Sequence, residues 1–185
     1  MTATQRNTLA ALWFAALFLF AVALARADAR PLPASEWTPA ARLDLARSCA
    51  GEAGLRSGVT GECTAIAYVY ARRFEQTHSR YEDVTFHRVV RTYSSALKGN
   101  VQPWVIGLRD DTKEPAGWPQ RLSWKRHAPL WEAILRAVDK WAAGEAENVC
   151  PGAIHYGGPM DVVPRHWRPV RCRARVLNLF WRIEG

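Results

Sequence analysis

The sequence predicts an α+β fold that is mainly α-helical and ends in a small β hairpin or sheet. Apolar side chains recur at helical spacing in four segments between residues 38 and 143. From Cys150 onward, short apolar pieces are interrupted by glycine and proline, which is typical of turns that join short strands. These two patterns predict four helices followed by a C-terminal sheet element.

The first predicted helix begins after Thr38 and ends before Gly54. Thr38 is a good N-cap, Pro39 fits the first helical turn, and Gly54 provides a stop. Between these ends, apolar residues recur at helical spacing, namely Leu43, Ala46, Ala50 and Ala53. Glu52 is therefore expected in the last turn.

Three more helices are predicted, over residues 62–76, 85–97 and 129–143. Each has one apolar face that should pack as core, and the last closes at Gly144. The three faces are Ile66, Val69, Tyr70 and Phe74; Phe86, Val89, Val90, Tyr93 and Leu97; and Leu130, Ile134, Leu135, Val138 and Trp141.

A long segment without clear periodicity, residues 98–128, separates the third and fourth predicted helices. It contains Trp104, Trp118 and Trp124, which argue against disorder, and long connections in compact domains are usually functional. Two interpretations stay open for this segment. It forms one wall of a substrate groove, or its indoles only cap the core.

The N-terminus resembles a secretory signal. Arg6 precedes an uncharged run over residues 9–25, and Ala27-Asp28-Ala29 fits a small-residue cleavage site. We expect cleavage, which leaves residues 30–185 as a single domain in the periplasm or outside the cell. The alternative is that residues 1–29 are retained and that residues 9–25 tether the protein to the membrane.

The chain is strongly basic, with a formal net charge of +8 that becomes +7 without residues 1–29. Such a charge suits an anionic polymer or a membrane surface. Export argues against nucleic acid as the partner. We expect a monomer.

The chain has an even number of cysteines, which in an oxidising compartment predicts two disulfides among Cys49, Cys63, Cys150 and Cys172. Sequence alone leaves all three pairings open. A bridge at Cys49 would hold the nearby Glu52 in place. The alternative is a cysteine nucleophile with His155 or His166 as its base.

Several common kinds of site lack their sequence patterns. The histidines show neither a zincin helix nor a partner Cys-x-x-Cys pair, and there is no phosphate loop, dinucleotide fingerprint or serine-hydrolase elbow. We therefore expect no metal and no cofactor. One cationic cluster either contacts substrate carboxylates or forms a solvated face: Arg165, Arg168, Arg171, Arg173, Arg175 and Arg182.

Glu52 is the strongest catalytic candidate. A carboxylate in the last turn faces the negative end of the helix dipole, and both that field and partial burial would raise its pKa. A raised pKa is what a general acid needs. The alternative is a solvated glutamate at a helix end.

Taken in order, five segments resemble the SleB-type cell-wall hydrolases, which are relatives of the lysozyme-like lytic transglycosylases. The resemblance covers residues 43–181, and its most specific part is Gly152-Ala-Ile-His-Tyr156 with Val163, Pro164 and Trp167 after it. The other matching segments are residues 45–54, 61–73, 89–94 and 131–144. The chain departs from the family pattern in lacking its second glutamate after Ala53, its histidine within residues 177–181, and a counterpart of the tryptophan-bearing segment.

The resemblance implies a lysozyme-like domain that cleaves the β-1,4 bond between N-acetylmuramic acid and N-acetylglucosamine in peptidoglycan glycan strands. It places Glu52 on the catalytic glutamate. Tyr93, Ser94, His155 and Tyr156 would bind the sugar, with Trp104 as an outer wall.

A lytic transglycosylase needs no second carboxylate, whereas hydrolysis usually does, and Asp161 is the nearby candidate for that role. The one-acid mechanism is therefore favoured. The alternative from another functional class is a noncatalytic module that binds peptidoglycan or serves as a scaffold in the cell envelope.

Overall fold

The computed structural model describes residue 13 and residues 32–53, 58–97, 124–158 and 161–184, with only the backbone described for residues 124–126. The chain divides after Arg30, and the described residues from 32 onward belong to one unit. Apart from Trp13, the predicted signal or anchor over residues 1–29 lies outside the described residues, as does Trp104. In the ranges described, no helix is both long and apolar enough to cross a membrane.

The described residues form four α-helices: α1 (Pro39–Ala53), α2 (Val59–His78), α3 (Phe86–Tyr93) and α4 (Trp124–Ala142). The Thr38 hydroxyl accepts the Ala41 N–H at 3.1 Å, so the predicted N-cap of α1 is confirmed. Helix α2 extends the predicted 62–76 by a few residues at each end and follows Gly58, whose φ of 82° favours glycine.

The third helix is shorter than the predicted 85–97. Thr85 caps α3 by accepting the Arg88 N–H at 3.2 Å, but the helix ends at Tyr93 because Ser94 is extended, with ψ of 120°. A 3-10 turn follows over Ser95–Leu97. The spacing of Leu97 suggested a continuous helix, whereas the break turns the Ser94 side chain and the Ala96 N–H towards α1.

The fourth helix begins before the predicted residue 129. It includes Trp124, and a non-helical His127 (φ −123°, ψ 23°) divides a short first piece from the regular helix that contains Pro129. Proline disfavours a helical residue before it and removes one backbone donor, which accounts for a kink just ahead of Pro129. The end of the predicted loop over residues 98–128 is therefore helical.

The C-terminal region forms a three-stranded antiparallel sheet, which confirms the α+β prediction. Its strands are β1 (His155–Gly157), β2 (Trp167–Pro169) and β3 (Leu179–Ile183), in the order β1-β3-β2. Tyr156 is opposite Phe180, and Trp167 is opposite Ile183. The last described strand in the chain, β3, is therefore the middle strand of the sheet and pairs with both of the others.

The core lies where α1, α2 and α4 pack together. Helix α1 contributes fully buried small residues such as Ala46 and Ala50, which allow close approach of its neighbours. Helix α4 contributes Trp141, whose ring stacks on Phe86 of α3 with centroids 5.5 Å apart. The core thus joins the four helices before the sheet is added.

One of the two predicted disulfides is present: Cys150 is bonded to Cys172, with their Cα atoms 4.2 Å apart. The prediction is wrong for Cys49 and Cys63, which are buried free thiols. Cys49 Sγ is directed at the Cys63 backbone carbonyl, 3.6 Å away. Burial in the α1–α2 contact, and not a disulfide, therefore fixes the helix that carries Glu52.

Candidate active site

Glu52 lies half-buried in the last turn of α1, where the break after α3 meets it. Its Oε1 atom accepts the Ala96 N–H at 3.0 Å and the Ser94 hydroxyl at 3.3 Å. These donors fix the direction of the carboxyl group. Of the predicted site residues, Ser94 is therefore in direct contact with Glu52.

Burial raises the pKa of the Glu52 carboxyl above its ordinary value. Hydrogen bonds from Ala96, Ser94 and the Ser95 N–H oppose this rise, whereas the charge of Asp161 adds to it. Desolvation is the largest of these effects, so the protonated acid persists to a higher pH than in an exposed glutamate. A shift in this direction is the one that a general acid requires.

Two tyrosines form a hydrogen-bonded pair beside Glu52. The Tyr70 hydroxyl bonds to that of Tyr156 on β1 and to Ser48 Oγ at 2.9 Å. Burial raises the pKa of Tyr70 to about 12 and the pKa of Tyr156 well above its usual value, and the Glu52 charge contributes to both shifts. Both phenols thus stay neutral at physiological pH and can donate hydrogen bonds near the acid.

His155 is held as a neutral imidazole. Arg73 Nη2 donates to its Nδ1 at 2.7 Å, and its ring stacks on Trp167 with centroids 3.7 Å apart. Burial, followed by the charge of Arg73, lowers the pKa of His155 to about 4. Because arginine only donates, the His155 proton lies on Nε2. That N–H is suited to a sugar hydroxyl or an N-acetyl carbonyl.

Tyr93 also contacts Arg73. The guanidinium carbon is 4.6 Å from the centre of the Tyr93 ring, and 43% of the tyrosine surface is exposed. Arg73 therefore joins Tyr93 of α3 to His155 of β1. An exposed aromatic ring next to a planar cation and an imidazole is a surface on which a sugar ring can stack.

Asp161 brings a second carboxylate towards Glu52. Its Oδ2 accepts the Gly158 N–H at 2.9 Å, and its charge raises the pKa of Glu52. A Cβ atom at Gly157 would collide with the same Oδ2 atom, so any larger residue there would displace the Asp161 side chain.

The structure argues against a cysteine nucleophile. Burial raises the pKa of Cys49 well above its ordinary value, which keeps it a thiol, and Cys63 is equally buried. Cys150 and Cys172 form a disulfide, so neither is a free thiol. In the described part of the chain, no group of three or more histidine, cysteine, aspartate or glutamate side chains is arranged to hold a metal ion.

All six arginines of the C-terminal cluster are exposed to solvent. Arg168 pairs with Glu184 at 3.0 Å and Arg173 pairs with Glu147 at 2.8 Å, and all four side chains are about half or more exposed. Exposed pairs of this kind contribute little to stability.

Four residues near the site are not among those that the sequence predicts for it: Ser48, Tyr70, Arg73 and Asn178. The apolar face of α2 predicts Tyr70 as a core residue, and it is fully buried. Its hydroxyl nevertheless needs a buried partner, which is the signal that could have led to Ser48 and Tyr156. Arg73 follows three positions after Tyr70 on the same helix, where residues three apart are neighbours.

Comparison with known proteins found no matching family model, no similar curated protein and no similar solved structure.

Proposed function

We propose that this protein is an exported peptidoglycan glycosidase, and specifically a lytic transglycosylase, with Glu52 as its single general acid and base. The observation that carries the proposal is the Glu52 carboxyl, whose pKa is raised by burial and whose Oε1 is fixed by Ser94 and Ala96. An acid of this kind suits protonation of a glycosidic oxygen.

In the proposed reaction, the Glu52 proton is carried by Oε2, because Oε1 already accepts two hydrogen bonds. This proton moves to O4 of N-acetylglucosamine as the bond from O4 to C1 of N-acetylmuramic acid breaks. The C6 hydroxyl of the muramic acid then returns a proton to Glu52 as O6 bonds to C1. The product is a 1,6-anhydro sugar, and Glu52 is protonated again.

The other site groups have binding roles in this proposal. Tyr93 and His155 form the stacking surface, with the Nε2–H of His155 directed to a sugar oxygen. Tyr156, held by its bond to the buried Tyr70, is a neutral donor beside the acid. Asp161 stabilises positive charge that develops at C1, or, if the enzyme is a hydrolase, orients the attacking water.

The test is mass spectrometry of the soluble products released from purified sacculi by the parent protein and by Glu52→Gln. Glu75→Gln serves as the matched control, because Glu75 is an exposed glutamate on α2. Anhydro-muropeptides from the parent and from Glu75→Gln, with about 100-fold or greater loss in Glu52→Gln, would support the proposal. Products with reducing ends would indicate a hydrolase, and binding without release would indicate the noncatalytic module.

A further inference from the structure

A hydrogen-bonded junction fixes the end of the helix that carries Glu52. Asn178 Nδ2 donates to the backbone carbonyl of Glu52 at 3.1 Å. The Asn178 N–H in turn donates to Glu62 Oε1 at 2.8 Å, and the Leu177 N–H donates to Glu62 Oε2 at 3.1 Å. Asn178 therefore connects three elements: α1, α2 and the segment that leads into β3.

Glu62 is the anchor of this junction. It is 0% exposed, and a buried carboxylate is costly unless its oxygens accept hydrogen bonds. Each of its oxygens accepts one backbone N–H from residues 177 and 178. The backbone of this segment is thereby held in one register on α2.

The carbonyl that Asn178 caps belongs to the last turn of α1, where carbonyl groups lack partners within the helix. Because Glu52 is the residue capped, the bond restrains the same residue whose side chain reaches Ser94 and Ala96. Loss of the cap would loosen the last turn and widen the range of positions available to the carboxyl.

Asn178 also lies directly before β3, which pairs with the strand that carries His155 and Tyr156. His155 is opposite Trp181, and Tyr156 is opposite Phe180. We propose that Asn178, held in place by Glu62, is a positioning residue that sets the spacing between the Glu52 acid and the sugar-binding strand. This inference rests on the proposed function.

The kinetic test compares Asn178→Leu with the parent, with Asn148→Leu as the matched control. Asn148 is likewise an asparagine whose side chain bonds to backbone, since its Oδ1 accepts the Cys150 N–H at 3.0 Å, but this bond lies beside the disulfide and not at the end of α1. Both variants should unfold at lower temperature. Only Asn178→Leu should lower kcat, by about 10- to 100-fold, because small misplacements of catalytic groups have effects of this size.

A second variant and a second measurement separate positioning from folding. Asn178→Asp keeps the shape but replaces the amide donor, so it should show the same loss of kcat. The carbon-13 signal of the Glu52 carboxyl, assigned from its absence in Glu52→Gln, should titrate in Asn178→Leu nearer to the ordinary value for glutamate. Retention of the parental kcat in both Asn178 variants, or of the parental titration midpoint in Asn178→Leu, would overturn the inference.

If the proposed function is wrong, the experiments give a different result from the one expected if only the role of Asn178 is wrong. A folded parent that releases no fragments from sacculi would overturn the glycosidase proposal. The carboxyl titration would still decide whether Asn178 positions Glu52, because it requires no substrate.

Discussion

At the scale of single residues, Glu52 is the candidate catalytic acid, and its ionised carboxyl lowers the stability of the folded protein. Burial raises the pKa of its carboxyl, so the folded state favours the protonated acid more than the unfolded chain does. The stability associated with this group is complete below the ordinary pKa of glutamate and is lost as pH rises through the higher folded value. At neutral pH the ionised form therefore opposes folding.

We expect Glu52→Gln to be more stable than the parent at pH 7, by about 1 kcal/mol, the size typical of stabilising substitutions. Glutamine keeps an oxygen that accepts from Ser94 and Ala96 but carries no charge. Thermal unfolding measured from pH 4 to pH 8 should show a difference that is small in acid and grows as the parent ionises. A difference independent of pH would contradict this account.

Gly157 is a second residue with a specific steric requirement. A Cβ atom there would collide with Asp161 Oδ2 and lie 3.3 Å from the Trp181 ring, so Gly157→Ala should displace Asp161 and cost about 1 kcal/mol of stability, the low end of the cost of overpacking. Gly61→Ala is the control, because nothing lies within 4 Å of that position and alanine favours a helix. Chemical denaturation would measure the free energy of unfolding of both variants. Equal losses of stability would contradict the steric explanation.

At the scale of elements, the Cys150–Cys172 disulfide ties the turn after α4 to the segment before β3. The two cysteines are 22 residues apart, and closing a loop of that length stabilises a protein by about 3 kcal/mol. The double variant Cys150→Ala, Cys172→Ala should lose about this much in denaturant unfolding. The sheet that carries His155 should be the first part to gain hydrogen exchange.

The same disulfide assignment can be checked by counting thiols. Alkylation of the denatured, unreduced protein should label two cysteines, Cys49 and Cys63, and all four should be labelled after reduction. Mass spectrometry distinguishes these states directly. Protein that takes up no label before reduction would contain the second disulfide that the cysteine count predicts.

Much of the helical architecture follows from local sequence, because caps and 3.6-residue spacing act over short distances. Thr38, Thr85 and the apolar face of α2 all predicted elements that the structure contains. The end of α3 could not be predicted in this way. Leu97 continues the apolar spacing, whereas the extended Ser94 is satisfied by Glu52, a partner 42 residues away.

The candidate site was predictable to a similar extent. Glu52 could be singled out because a carboxylate at a helix C-terminus opposes the dipole and requires an explanation. Arg73 and Asn178 could not, since their roles depend on the folding of β1 and β3 against the helices. Sequence spacing does not reveal contacts that join residues more than 80 positions apart.

At the scale of the whole molecule, the net charge of +8 should govern association with an anionic wall polymer. Raising salt from about 50 mM to about 500 mM shortens the screening length several-fold and should weaken retention on sacculi in a sedimentation assay. Retention on chitin, an uncharged polymer of N-acetylglucosamine, should depend less on salt in the same assay. An equal response with both substrates would argue against long-range attraction.

The order of the sheet has a consequence for the timing of synthesis. The middle strand, β3, is the last of the described strands in the chain, and both β1 and β2 pair with it. A ribosome makes Glu52 more than a hundred residues before Phe180, the residue opposite Tyr156. A nascent chain that stops short of residue 179 would therefore carry the acid and the residues of β1 but not β3, the strand that pairs with β1, so the catalytic capacity proposed here would be acquired only late in translation.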